Sequence, residues 1–428
     1  MNLQVVILLF GSLLVCVAMS VPICFSLMIC SLSLIIGFKI VSLSAIPAAL
    51  YNSIDSFALT AIPFFIFSAS IMDRGNLMQS IINICKNQFR KFYGGLGMAI
   101  MATSAVFAAM CGSSVSSAAA MGKVGIPMMK DEGYPEDFSG AAIAAGGTMG
   151  ILIPPSLTMV LICSLIGENV STMFVAGILP GIIQTVLLCI LIGYIAKKHK
   201  YGKVGEKVEV SRQDRIRGMW AAGTPVIILG GIYTGVFTAT EAAAVSALYA
   251  MLVVVFIYRE IGFKEIMHIA YESAKLIGNI LFILAGATLF GVVLNYSGLP
   301  QAVVSLITSN TLPVWVFYLA SFFIMLILGM LLDGNAMVAI VVPLVWPVVE
   351  YYGINPIQFS IFMVCCVELG TLTPPVGMNL FVTSTIAKQP IDRVAVRLAP
   401  FYLLMVLLII LVLLFPAISL TLPALMRG

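Results

Sequence analysis

Four short stretches of this 428-residue chain combine residue types that could hold an ion. GILIPPS at 150–156 and GTLTPPV at 370–376 each place two adjacent prolines inside an apolar run. Proline lacks an amide donor and its ring clashes with the preceding turn, so each pair must break its helix. The break frees carbonyl oxygens, and at membrane depth such groups are tolerated only inside protein or against a wet cavity. Freed carbonyls suit a small cation, whereas half-helix N-termini suit an anion. About 40 residues upstream of each break stands a second stretch, AAMCGSSVSSAAAMG at 108–122 and LGMLLDGNAM at 328–337. Gly and Ser runs of this kind fit a hairpin tip, but either one alone reads better as close packing of membrane helices. Two of them, each paired with a double proline, predict two related sites.

The elements that position these stretches must be membrane helices. The chain is 61% hydrophobic and 9% charged, with a mean hydropathy of +1.12, while soluble domains carry about 25% charged residues. No Asp, Glu, Lys or Arg occurs between Lys91 and Lys123, between Lys275 and Asp333, or between Arg397 and Arg427. At about 20 residues per crossing, such runs accommodate roughly ten or more crossings or half-crossings. The N-terminus has no basic leader and no small-residue cleavage site, and reads as a retained first helix. The nine cysteines are scattered through apolar segments without metal-ligand spacing and read as packing residues. The net charge of +4 lies in loops, which argues for orientation and against a nucleic-acid partner. With no phosphate loop and no catalytic constellation, the chain is expected to be neither an ATPase nor any other enzyme.

The breaks belong to two halves. At an offset of 220 residues, without gaps, Met110 meets Met330, Pro127 meets Pro347, Gly133 meets Gly353 and Pro180 meets Pro400. Gly150, Leu152 and Pro154-Pro155 likewise meet Gly370, Leu372 and Pro374-Pro375. Charge suggests that the halves are inverted. The segment after the first break carries only Glu168, and its counterpart carries Lys388, Arg393 and Arg397. Basic loops belong to the cytoplasm, so equivalent loops face opposite sides. The separator KKHKYGKVGEKVEVSRQDRIR, 197–217, is then cytoplasmic.

Three acids stand in apolar sequence, where a charge is expensive. Asp333 reads mainly as a local cap beside a hairpin tip. Glu368 reads equally as a coupling group or as a helix cap. Glu241, three residues after Thr238, reads as half of a capping box.

ELGTLTPPVGMNLFV (368–382), AGILPG (176–181) and TATEAAAVSALYA (238–250) resemble one family over essentially the whole chain. It is the large, DctM-type membrane subunit of tripartite ATP-independent periplasmic (TRAP) transporters. The resemblance implies an all-α polytopic membrane protein, an inverted-repeat elevator-type transporter with two re-entrant hairpins and two broken helices. It further implies scaffold helices at 1–90 and 219–310, transport repeats at 91–196 and 311–428, and a basic cytoplasmic loop at 197–218. Expected partners are a small four-helix, DctQ-type membrane subunit and a DctP-type periplasmic binding protein, in the bacterial inner membrane. Uptake would be sodium-driven, of a C4-dicarboxylate, sialic acid or sugar acid. The family pattern puts sodium on carbonyls of Ala108, Cys111, Gly150, Ile153 and Pro155, and on Gly329, Gly370, Thr373 and Val376. Substrate would lie near Ser113, Ser114, Asn335, Thr373, Pro374 and Asn379. The nearest rival is a sodium/carboxylate or anion transporter of related fold that needs no binding protein.

Overall fold

The computed structural model describes residues 3–74, 77–202, 211–259 and 261–427, and every regular element among them is helical. Residues 203–210 of the expected basic loop lie outside the described residues. Helices α1 (Leu3–Ala18), α2 (Ile23–Phe38), α3 (Ala45–Ile54), α4 (Ala61–Arg74) and α5 (Leu77–Phe89) open the chain. Next come α6 (Gly95–Cys111), α7 (Ser114–Asp131), α8 (Glu136–Leu152), α9 (Leu157–Ile166) and the long α10 (Val170–His199). The second half begins with α11 (Arg212–Pro225), a π turn into α12 (Gly231–Tyr233), then α13 (Ala239–Leu252), α14 (Phe263–Ser297) and α15 (Leu299–Ser309). It closes with α16 (Val314–Gly329), α17 (Gly334–Tyr351), α18 (Pro356–Leu372), α19 (Met378–Ala387), α20 (Ile391–Arg397), α21 (Ala399–Leu414) and α22 (Ala417–Arg427).

Five spans among the described residues are long and apolar enough to cross a membrane. A sixth is added if α20 and α21, bent by 55°, count as one. Phe256, Phe263, Leu403 and many other large apolar side chains are exposed, as a lipid-facing surface requires.

The 220-residue repeat reappears in the helix boundaries. Helix α7 starts at Ser114 and α17 at Gly334; α8 spans Glu136–Leu152 and α18 spans Pro356–Leu372. Each pair therefore begins and ends at repeat-related positions. Local chemistry explains the ends. Asn355 caps α18 by accepting from the Ile357 and Gln358 amides, and Pro356 takes the first helical position, where no donor is needed. Both α8 and α18 stop where the double prolines begin, and both Pro–Pro peptides are cis. Ser156 starts the next helix by accepting from the Met159 amide at 3.3 Å.

The halves interlock. Helix α9 of the first half packs on α17 of the second, and α19 of the second packs on α7 and α8 of the first. Small residues permit the close approach: a Cβ at Gly122 would lie 2.9 Å from Ile386 Cδ1, and one at Gly140 would lie 3.3 Å from Ala387 Cβ. Asp137 accepts from Arg397 Nε at 2.8 Å, and Glu136 from Gln389 Nε2 at 2.8 Å, so polar ties also link the start of α8 to the end of α20 and to the turn before it. Outside this body, α14 packs along α2, α3 and α4, and α13 along α4.

Thr238 and Glu241 form the capping box expected at the start of α13, with Thr238 N donating to Glu241 Oε2 at 2.8 Å. Thr238→Ala is expected to destabilise by about 1 kcal/mol, seen as a small drop in melting temperature with transport retained.

Candidate functional site

Hairpin tips and helix breaks meet in two places. Helix α6 ends at Gly112, whose φ of +66° is a backbone conformation that side chains rarely adopt. A Cβ there would lie 2.8 Å from the Pro155 carbonyl oxygen. The Gly112 carbonyl accepts from the Leu157 amide at 3.1 Å, tying the first tip to the first break. On the far side of that tip, a Cβ at Gly150 would lie 2.6 Å from the Ser113 oxygen. The structure therefore brings Gly112 against Pro155 and Ser113 against Gly150, while Cys111 lines the neighbouring cavity. Ala108 lies one turn below the tip, and its carbonyl accepts from the Gly112 amide at 3.2 Å. Ile153 is the extended residue at the end of α8, with its amide donating to the Met149 carbonyl at 2.8 Å.

The second place repeats the plan with other atoms. The Met330 carbonyl accepts from the Val376 amide at 3.2 Å and the Gly377 amide at 3.3 Å. Gly329 and Gly370 stack backbone on backbone: a Cβ on Gly329 would lie 2.5 Å from Gly370 Cα. The Thr373 hydroxyl donates to the Leu369 carbonyl at 2.7 Å, which leaves its lone pairs available. Both places offer oxygen donors, chiefly carbonyls, in cradles that a Cβ would fill. Oxygen donors of this kind suit a hard cation.

A cavity of about 340 Å³ lies between the two tips. Ser113 and Ser116 of the first tip line it, as do Asp333 and Asn335 of the second, and Leu157 and Met378 from the residues just past the breaks. Of the expected substrate residues, Ser113 and Asn335 thus reach the cavity wall, while Ser114, Thr373, Pro374 and Asn379 are not among the residues that line it. Ser70, Asp73 and Asn279 add a wall from α4 and α14 that no motif foretold. Thr158 donates to Asn335 Oδ1 at 3.0 Å, joining α9 to the second tip.

Four helix N-termini reach this cavity: those of α7, α9, α17 and α19. Two are satisfied by their own side chains. Asp333 Oδ1 accepts from the Asn335 amide at 2.9 Å and the Ala336 amide at 3.1 Å, and Ser156 caps α9. This is the cap expected of Asp333. The other two, α7 and α19, have no side-chain cap. Asn379, in the first turn of α19, is fully buried, and among the described residues neither its amide atoms nor the buried Ser117 hydroxyl of α7 has a partner. No Lys or Arg lines the cavity among the described residues. An anion there would be held by helix ends, amides and hydroxyls.

Glu368 lies elsewhere. It sits inside α18, fully buried, and caps no helix N-terminus. Its two carboxyl oxygens each accept from Gln184 Nε2 of α10 at 3.2 Å. Among the described residues, no group of His, Cys, Asp and Glu is arranged to hold a metal.

Comparison with known proteins agrees with this architecture. Residues 10–418 match the family described as "Tripartite ATP-independent periplasmic transporter, DctM component". The chain is 36% identical to the C4-dicarboxylate TRAP transporter large permease protein DctM of Pseudomonas aeruginosa, over 89% of this chain and 90% of that one. It is 32% identical to the C4-dicarboxylate TRAP transporter large permease protein DctM of Rhodobacter capsulatus, over 98% of this chain and 99% of its relative. Its fold is similar to the crystal structure of the Alcanivorax borkumensis YdaH transporter, with a TM-score of 0.64 at 15% identity, covering 88% and 90% of the two chains.

Proposed function

Since this chain belongs to the DctM component of the tripartite ATP-independent periplasmic transporters, we propose that it is a sodium-driven permease that imports a carboxylate across the bacterial inner membrane. The observation that carries the carboxylate is the cavity walled by two uncapped helix N-termini, beside the buried and unpartnered Asn379. A carboxylate accepts from exposed amides at such ends, and the end dipoles favour its charge without any basic side chain. Relatives named for C4-dicarboxylates make that class the first to test.

Sodium is the coupling ion. The first site comprises the carbonyls of Ala108, Cys111, Gly150, Ile153 and Pro155; the second comprises Gly329, Gly370, Thr373 and Val376. A cation there draws each hairpin tip onto its break, and this orders the first turns of α7 and α17 around the substrate. Each sodium entering through 100 mV contributes about 2.3 kcal/mol. The hairpins are re-entrant and the halves inverted, so the two sites face each other across the cavity. Segments 91–196 and 311–428 form the moving body, which slides as an elevator against segments 1–90 and 219–310. Ser70, Asp73 and Asn279, on the fixed side, wall off the cavity until the body moves. A separate four-helix subunit supports the fixed segments, and a periplasmic binding protein delivers the substrate.

Reconstitution of the permease with its small subunit and binding protein in proteoliposomes tests this reading. Uptake of labelled succinate, sialic acid and a sugar acid is expected to follow an inward sodium gradient and to ignore ATP. Transport of any of them without the binding protein would instead favour the self-sufficient rival. Equal uptake with potassium in place of sodium would sink the coupling.

A further inference from the structure

Gln184 is the polar side chain in the middle of α10, flanked by Thr185 in an otherwise apolar stretch, and it is fully buried. Its Nε2 lies 3.1 Å from Thr148 Oγ1 and 3.2 Å from both oxygens of Glu368. Thr148 and Glu368 are repeat-related, 220 residues apart, and each stands two residues before the glycine that opens its break, Gly150 or Gly370. One amide therefore bridges the last turns of both broken helices. The bridge has no twin: the repeat-related position on α21 is Leu404, and Gln184 also meets Met405 Sδ at 3.4 Å.

The Gln184 amide nitrogen carries two protons, and its acceptors lie on two different helices. Here the amide is shared, and its geometry depends on both helix ends at once. Thr148 already donates its own proton to the Ala145 carbonyl at 2.8 Å, so toward Gln184 it can only accept. A change in rotation or height of either last turn thus alters the hydrogen bonds available to the other. Rigid helices that share a hydrogen-bonded partner are the physical means by which two sites come to influence each other.

We propose that Gln184 is a positioning residue that couples the two sodium sites, so that closing one tip on its break favours closing the other. This rests on the sodium reading above. The coupling acts through Thr148 and Glu368, with no contact between Gln184 and the ions.

The test is the sodium dependence of initial uptake by the complete complex in proteoliposomes, with the binding protein loaded and in excess. The wild type should give a sigmoidal curve with a Hill coefficient of about 2, and Gln184→Leu should bring it toward about 1 while raising half-saturating sodium about five-fold or more. The plateau rate at high sodium should stay close to wild type, which a merely structural loss would not permit. Thr148→Val removes one hydroxyl at nearly constant volume and should shift the curve in the same direction. It decides the matter if Gln184→Leu does not insert. Unchanged sigmoidal curves in the variants, or a lowered plateau with the curve's shape intact, would overturn the coupling and leave the sodium reading standing. A wild-type curve that depends on sodium without sigmoidal form would do the same. A wild type indifferent to sodium would overturn both.

Discussion

Gly370→Val and Gly150→Val are each expected to lower sodium-dependent uptake by about 100-fold while the protein still inserts in the membrane. At Gly370 a Cβ would lie 2.9 Å from Gly329 Cα and 3.1 Å from the Met325 carbonyl oxygen. At Gly150 it would lie 2.6 Å from the Ser113 oxygen and 2.7 Å from Ser117 Oγ. The obstructing atoms are largely backbone, which cannot swing aside as the end of a side chain can. The tip must therefore lift from its break, parting Gly112 from Leu157 or Met330 from Val376 and Gly377. Both are contacts between segments that the transport reading needs closed. Gly278→Ala is the control, because nothing lies within 4 Å of a Cβ at that helical position. Uptake normalised to the amount of folded permease is the measurement, and near-normal uptake by either valine variant would refute the tight tip-to-break cradle.

Asp333 carries the second large effect. Its carboxylate accepts from two amides at the start of α17, and Asp333→Ala should leave both without that acceptor at the cavity wall. A lost cap is worth about 1–2 kcal/mol, so uptake should fall by about ten-fold. Asp333→Asn separates the cap from the charge, because asparagine caps about as well as aspartate. It is expected to keep most of the rate and the sodium dependence. If the asparagine variant fails as badly as the alanine one, the negative charge itself takes part in transport and the capping account is wrong.

How much of this was legible in the residues follows from what each signal measures. Double prolines announce a break because they remove donors locally, and the breaks stand where GILIPPS and GTLTPPV put them. Repeat register was legible too: the offset that aligns Pro127 with Pro347 also aligns the ends of α8 and α18. Side-chain direction was not. Asn379 is buried and does not line the cavity while Met378 does, since neighbouring helical residues point about 100° apart. Ser70, Asp73 and Asn279 escaped for another reason. They come from helices about 200 residues apart in sequence and carry no spacing that could announce a shared wall. Glu368 was singled out as an acid in apolar sequence, yet its partner Gln184 was not. A lone glutamine in a long apolar helix is a weak signal until its acceptor is known.

The interlock of the halves bears on how the chain can be made. Helices α7 and α8 are complete once residue 152 has been synthesised, yet the surface they present to α19 stays bare until residue 387 exists. Gly122 and Gly140 keep that surface flat for the late helix that covers it. Helix α9 waits in the same way for α17. The first half is therefore inserted as a set of helices without its final partners, and the packed body is completed only when the last quarter of the chain has been made. A gene split between the halves could still yield permease if both pieces were made in the same membrane, because the contacts that define the body are formed between them.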